Sequence, residues 1–332
     1  MAEMKCKICS LKMEVFIEGI FDNRHGYPGR FDIYRCKNCG FYSTYPQPTN
    51  QELDRLYTDY YPRSGLNPDQ VKASATQLKT PKDKLAIWLN GTGNSCHFHA
   101  MPGMRVLDYG CGTGASLLEI RSLGADAYGI EVDENIRPVA KALGLNMYIG
   151  SLEDSPYPDQ FFDLITLNQV IEHIPDPLTF LLAVKTKLKQ DGKIMLSCPN
   201  PDSLSRRLIG KKWLHWHVPY HLNHFSKTSL KRLLEQAGLN VTNIRVVTPN
   251  LWTVLQLRLL VAKVEEGQRD TSWDLAAVAK KESRQINTFD RLLLKLTSLL
   301  SGRFKFMLVL YNRPVDLLGM GDSFVVEARI GI

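Results

Sequence analysis

The chain of 332 residues has no uncharged apolar run near the ~18 residues that a membrane-spanning helix needs, so no segment is expected to cross a bilayer. Its start, Met1-Ala2-Glu3-Met4-Lys5-Cys6, has none of the apolar core of a secretory leader and no support as a transit peptide, so the expected location is cytoplasmic. There is no block of like charge either. The 41 basic and 34 acidic residues leave a net +7 spread along the chain, and no nucleic-acid partner is expected. Nor is the composition biased: 44% hydrophobic and 23% charged residues exclude a disordered, collagen-like or coiled-coil chain. What is present is enough length for two domains, or one large domain with an extra module, and for a core without disulfide staples. Seven cysteines with no secretory signal read as reduced thiols, and four of them fall into two tight pairs.

Those pairs are Cys6-Lys7-Ile8-Cys9 and Cys36-Lys37-Asn38-Cys39. Two intervening residues form the short turn that lets both thiolates reach one ion at ~2.3 Å, so the four cysteines predict a closed, structural zinc site. Gly40 can take the positive φ that folds the second turn back on its sulfurs. The spacer, residues 10–35, is longer than the usual ~15–20, which calls for an elongated hairpin with Phe31-Asp32-Ile33-Tyr34 in its second strand. Four unrelated thiols are the alternative. A redox pair is another, but it lacks the strand-then-helix setting such a site uses. His25 in the spacer reads as solvated. Beyond it, Asn50 can cap a short helix bearing Leu53, Leu56 and Tyr57, and a second helix is expected over Lys84–Leu89. His97 and His99 read as surface residues of the loop that follows residues 90–94.

Met104-Arg105-Val106-Leu107-Asp108-Tyr109 is a short apolar strand that enters Gly110-Cys111-Gly112-Thr113-Gly114 and then a helical stretch, Ala115–Leu123. Strand, glycine turn and helix make the nucleotide crevice of a doubly wound sheet. A second strand, Ala127–Ile130, ends in Glu131, where an acid accepts both hydroxyls of a ribose. Gly110, Gly112 and Ala115 also satisfy a dinucleotide pattern, so NAD remains an alternative cofactor. Asp108 separates the two, because a carboxylate at the strand end opposes a pyrophosphate and suits the cationic methionine part of S-adenosylmethionine.

Val106 to Gly114 resembles the signature of class I S-adenosylmethionine-dependent methyltransferases. So do Gly129-Ile130-Glu131-Val132, Phe162-Asp163-Leu164-Ile165 with Val170 to Pro177 after it, the turn Lys189-Gln190-Asp191-Gly192-Lys193, and Ser197-Cys198-Pro199-Asn200. The resemblance covers residues 100–247 and implies an α/β, Rossmann-like seven-stranded sheet. By position, Asp108, Gly110, Gly112 and Gly114 would hold the methionine portion, Glu131 the ribose, and Val132 the adenine face. Ser151 and Leu152 would line the adenine edge, where the family's usual acid is replaced by serine, and Asn168 and Gln169 would lie beside the sulfonium. Plain turns and a solvated strand end at Glu131 are the alternatives. The cysteine-rich start is similar to a subgroup with an N-terminal zinc ribbon that acts on sugars or surface polysaccharides.

Histidines gather after the fourth and fifth strands: His173, then His215, His217, His221 and His224. Loops at the carboxyl ends of the strands converge over a cofactor, and a near-neutral imidazole suits deprotonation of an acceptor hydroxyl. His173 is the first candidate base, with Glu172, His221 and His224 around it. The four are also readable as a metal site, an arrangement similar to that of enzymes that methylate 2′-hydroxyls at small-RNA ends, although Gln169 stands where those have glutamate. Alternatively, Glu172 and His173 cap the next helix, and His221 and His224 are buried loop anchors. Trp213 and Trp216 suit a stacking wall or lid packing.

After a capped helix, Thr228–Ala237, and a strand, Val241–Val247, the closing strand is expected at Ser323–Ala328. The residues between are too many for a bare loop. They read as helices at 251–264, 276–286 and 289–311, and residues 250–313 hold eleven basic and six acidic groups. A lid, a homodimer contact or a peripheral membrane contact fits them. The expected organisation is a zinc ribbon at 1–45, a helical linker or cap at 46–100, a methyltransferase domain at 101–250 and 313–332, and a helical insertion at 251–312. The expected activity is O-methylation of a sugar, glycan or related small-molecule hydroxyl. A C- or N-methyltransferase on a sugar nucleotide, an NAD-dependent oxidoreductase and a non-catalytic ribbon protein are the alternatives.

Overall fold

The computed structural model describes residues 4–60, 66–75, 81–262, 264–270 and 305–331. The spacer between the cysteine pairs forms the elongated hairpin that its length requires: β1 (Glu14–Phe21) pairs antiparallel with β2 (Arg30–Arg35), with two register shifts on the way. Alternation along β2 buries Phe31 and Ile33, and β3 (Tyr42–Tyr45) adds to its other edge. Helix α1 (Asn50–Arg55) is capped by Thr49 rather than by Asn50: the Thr49 hydroxyl accepts from Glu52 N–H, and the Glu52 carboxylate accepts from Thr49 N–H. The chain continues as a π-helical turn, Leu56–Tyr60. Two further helices follow, α2 (Pro68–Ser74) and α3 (Pro81–Asn90), the second longer at both ends than its apolar pattern suggests.

The sheet begins at β4 (Arg105–Tyr109), whose Val106 and Leu107 are buried on opposite faces, as a strand covered by helices on both sides requires. Helix α4 (Ala115–Ser122), β5 (Asp126–Glu131), α5 (Arg137–Ala142) and β6 (Met147–Ile149) extend it in one direction. The chain then crosses to the other side of β4 for β7 (Phe162–Asn168), α6 (Pro177–Lys187) and β8 (Leu188–Pro199). The turn expected at Lys189–Lys193 is a bulge inside β8, where pairing with β7 jumps from Phe162 and Leu188 to Leu164 and Lys193. Helix α7 (Leu204–Ile209), the two-residue β9 (Asn223–His224), α8 (Lys227–Gln236) and β10 (Leu239–Val247) come next. Helices α9 (Asn250–Val261) and α10 (Lys305–Leu317) precede β11 (Ser323–Ile330). The strand order is β10-β11-β8-β7-β4-β5-β6, with β11 antiparallel to both neighbours and the rest parallel. This is the expected α/β seven-stranded sheet. Its order reverses between β4 and β7, which opens a crevice at their carboxyl ends.

The cysteine-rich hairpin and the seven-stranded sheet share a core. β9 pairs with β3, so the four-stranded sheet β1-β2-β3-β9 takes its last strand from the segment after β8. Ser226 Oγ donates to the Cys39 carbonyl at 2.8 Å, and Gln236 Nε2 donates to the Ile8 carbonyl at 2.9 Å. Phe41, fully buried, meets Phe225 with ring centroids 5.4 Å apart, and burial of such a pair contributes roughly 3–6 kcal/mol. Helix α9 is shorter than the apolar run 251–264, and the helices expected at 276–286 and over 289–304 lie outside the described residues. Among the described residues, no helix is long and apolar enough to cross a membrane.

Candidate active site

The glycine turn after β4 uses left-handed backbone at Gly110 (φ 71°), Gly112 (φ 56°) and Gly114 (φ 84°). At Gly110 a side chain has no room, since a Cβ there would lie 2.8 Å from Val170 Cγ2. Glu131 at the end of β5 holds this turn. One carboxylate oxygen accepts from Gly112 N–H at 2.8 Å and the other from the N–H groups of Val132 and Asp133 at 3.0 and 3.2 Å. Only 4% exposed, Glu131 is not the solvated strand end that its position allowed. Asp108 is buried further back, where burial raises its pKa and the Thr166 hydroxyl and the Asn168 amide donate to it at 2.5 and 3.0 Å. It therefore orients Asn168 from behind.

A cavity of about 740 Å³ lies over the carboxyl ends of β4, β5 and β7. Gly110, Glu131, Val132, Asn168 and Gln169 form one side, and Val132 offers a half-exposed apolar face. Gln169 is braced by its amide, which donates to the hydroxyls of Ser197 and Ser323 at 3.1 and 3.2 Å. His173 and His221 also line the cavity, together with His215 and His217. Asp108, Gly112, Gly114 and Glu172 support this lining from outside it, while Ser151 bonds Asp154 at 2.7 Å and Leu152 is core. Arg24 of the cysteine-rich hairpin, Tyr57 of the π-helical turn and Trp252 of α9 also reach the cavity. No local sequence signal marks these three, because separate segments bring them to the crevice.

Glu172 and His173 lie on a short 3-10 turn after β7 and do not cap α6, whose cap is Asp176. His173 Nδ1 lies 2.9 Å from the Tyr220 carbonyl and 3.0 Å from the Tyr57 hydroxyl. A carbonyl only accepts, so Nδ1 carries the proton and Nε2 the lone pair. His221 follows the same rule, with Nδ1 donating to the His215 carbonyl at 2.8 Å. Ring centroids of His173 and His221 are 4.7 Å apart, nearly perpendicular. Burial, followed by the charge of Arg24 and neighbouring histidines, holds His215 and His217 well below the usual imidazole range, and His221 is lowered by burial and then by His173. Glu172 is 1% exposed and burial pushes it up to about 8.

Several expectations change here. His224 is held in β9, its Nε2 3.4 Å from Thr44 Oγ1 and its ring against Trp216, so it stays out of the cavity lining. Trp213 and Trp216 are core, both 2% exposed, and Trp252 supplies the aromatic wall instead. His25 is buried, 5.2 Å from the Tyr220 ring, and His97 is buried with Nε2 2.5 Å from the Glu119 carboxylate. His99 is half-buried and faces Arg245.

The four paired cysteines converge at the other end of the hairpin. Their sulfurs lie 3.5 Å apart for Cys6 with Cys39 and for Cys9 with Cys36, and 3.7 Å for Cys9 with Cys39. A tetrahedral ion with bonds of ~2.3 Å needs edges of about 3.8 Å, so the set fits zinc. Ile8 N–H points at Cys6 Sγ (3.4 Å), and Ser10 (φ 60°) plays in the first turn the part of Gly40 (φ 71°) in the second.

Comparison with known proteins gives the site its context. The methyltransferase domain family matches residues 76–244. The ubiquinone biosynthesis O-methyltransferase of Cereibacter sphaeroides is 30% identical over 165 residues, 46% of this chain and 67% of that protein. The one from Xanthomonas campestris is 27% identical over 219 residues, 56% of this chain and 91% of that protein. A 1,6-didemethyltoxoflavin-N1-methyltransferase of Burkholderia thailandensis, solved with S-adenosylhomocysteine bound, aligns over 96% of this chain and 100% of its own, at 13% identity and a TM-score of 0.46.

Proposed function

The chain belongs to the methyltransferase domain family, S-adenosylmethionine-dependent enzymes of class I, and from that premise we propose that it methylates a hydroxyl of a small cyclic acceptor. One observation carries this reading: the crevice edged by Gly110 and Glu131 and the histidine wall of His173 belong to a single cavity. Backbone of the turn from Gly110 to Gly114 takes the methionine end of the donor, Glu131 its ribose and Val132 its adenine, while Ser151 and Leu152, expected at the adenine edge, stay outside the cavity lining. Asn168, held by Asp108, and Gln169 stand at the sulfonium. Bound there, the donor supplies an electrophilic methyl group. His173 Nε2 takes the acceptor's proton in the metal-free enzyme, and juxtaposition of donor and acceptor supplies most of the rate.

Aromatic and neutral walls from Tyr57, His215 and Trp252 suit a ring, and the ribbon subgroup that the sequence resembles favours a sugar or glycan unit. A ring of the kind handled in ubiquinone biosynthesis, with a phenol as its simplest probe, is the second reading, since relatives are O-methyltransferases of ubiquinone biosynthesis. Helix α9 puts Trp252 and Leu255 in the cavity wall, which supports the lid among the roles open to 251–312. The cysteine cluster holds one structural zinc. Native mass spectrometry with added donor should show one zinc and one bound S-adenosylmethionine; zinc without donor binding would overturn the assignment of the crevice. With sugar and phenol panels, product analysis should find an O-methyl group, and a new C-methyl or N-methyl group would move the acceptor class. His173→Ala should lower kcat by about 10²–10⁴-fold with donor affinity intact, and full activity would remove His173 as the base.

A further inference from the structure

We propose that Glu172, His173 and His221 form a second metal site, separate from the cysteine cluster, which holds one divalent transition-metal ion at the wall of the acceptor cavity. One ligand atom from each lies within 4.8 Å of the others. The Glu172 carboxylate, 1% exposed, meets no hydrogen-bond donor from any other described residue. An unpaired buried carboxylate costs several kcal/mol, on the order of the penalty for an uncompensated buried charge, so it calls for a partner.

The neighbours cannot supply one as neutral rings. His173 and His221 each give their Nδ1 proton to a backbone carbonyl, of Tyr220 and His215, so both direct an acceptor nitrogen, Nε2, to the side of the ring away from that bond. A carboxyl group and two ring nitrogens are therefore brought together, and the proton that burial favours on Glu172 can serve only one of the two rings. A single proton satisfies one pair and leaves the third group alone. A divalent cation takes all three as ligands, and the Glu172 carboxylate offsets half of its charge. Imidazoles oriented through Nδ1–H to a carbonyl are also the usual outer support of metal-ligating histidines. Two nitrogens and one oxygen suit Zn²⁺, Mn²⁺, Fe²⁺ or Co²⁺ better than Mg²⁺. His173 and His221 line the cavity, so remaining coordination positions open toward the acceptor.

This inference rests on the methyltransferase reading and deepens it. Two adjacent oxygens of the acceptor, a vicinal diol of a sugar or a catechol, fit the open positions. A hydroxyl bound to the ion loses its proton to water at a lower pH, and His173 then serves as a ligand in place of a base. The test uses the whole zinc-loaded protein titrated with Mn²⁺ and examined by native mass spectrometry and electron paramagnetic resonance. The wild type should take one manganese beyond the zinc. Glu172→Gln and His221→Asn should weaken that binding by about 100-fold or more and keep the zinc. Glu172→Gln keeps the shape of a side chain that burial already favours uncharged, and thermal melts check that the variant folds. No second ion in the wild type, or equal binding by both variants, overturns the site. Calorimetry with S-adenosylmethionine separates the two readings: donor binding without manganese sinks only the metal site, and manganese without donor binding sinks only the donor assignment.

Discussion

Glu131 does two jobs at once, and they can be separated. Its carboxylate ties the glycine turn to the start of the loop after β5 through three backbone N–H groups, and its remaining acceptor capacity faces the crevice. Glu131→Ala should cost about 1–3 kcal/mol in chemical denaturation and weaken S-adenosylmethionine at least about tenfold by calorimetry. Glu131→Gln keeps one good acceptor and should recover most of the stability but not the affinity; unchanged affinity in both variants would remove the ribose assignment. Glu131 was legible because it stands at a fixed distance from a glycine turn, a local relation. His25 and His97 were not, because their burial is decided by Tyr220, Glu119 and Asn168, which lie far away in the chain. Trp252 was hidden for the same reason.

Strand β9 shows what a sequence pattern cannot carry at the scale of elements. Two residues have no periodicity, and Asn223 and His224 become a strand only because Ser43 and Tyr42 lie opposite them. The edges of β4, β5 and β11, by contrast, follow from apolar runs bounded by turn residues. The bulge in β8 lies between, since its Gly192 reads as a turn until the pairing with β7 is known. Through β9 the cysteine cluster supports the histidine wall: Thr44 Oγ1 donates to the His221 carbonyl at 2.6 Å, and Thr44 N–H donates to the Leu222 carbonyl at 3.0 Å. Removing zinc with a chelator, or by Cys36→Ser, should therefore loosen residues 217–226 together with the hairpin while donor affinity stays within about threefold. Hydrogen exchange checks this. Faster exchange confined to residues 4–45 would show that the hairpin does not brace the acceptor side.

At the scale of the whole molecule, the same convergence makes the fold sensitive to acid. The cysteine-rich hairpin and the segments after β7 and β8 bury their histidines against one another, and burial, the largest cause, pushes His25 and His224 down to about 3. In the unfolded chain these groups titrate near 6.5. Between those values the unfolded state binds more protons, so stability is fully present above about pH 6.5 and is lost as the pH falls toward 3. Each group contributes on the order of a few kcal/mol. In the zinc-loaded protein proposed above, release of the ion from protonated thiols would weaken the fold over part of the same range. The informative comparison is therefore wild type against His224→Gln at each pH, where the contribution from zinc cancels. Urea midpoints should fall on acidification in both proteins, more steeply in the wild type, and the two curves should converge toward acid pH. Parallel curves would mean that His224 takes up its proton in the folded state without penalty, through an opening of the β3–β9 contact that the packing of Trp216 on its ring does not allow.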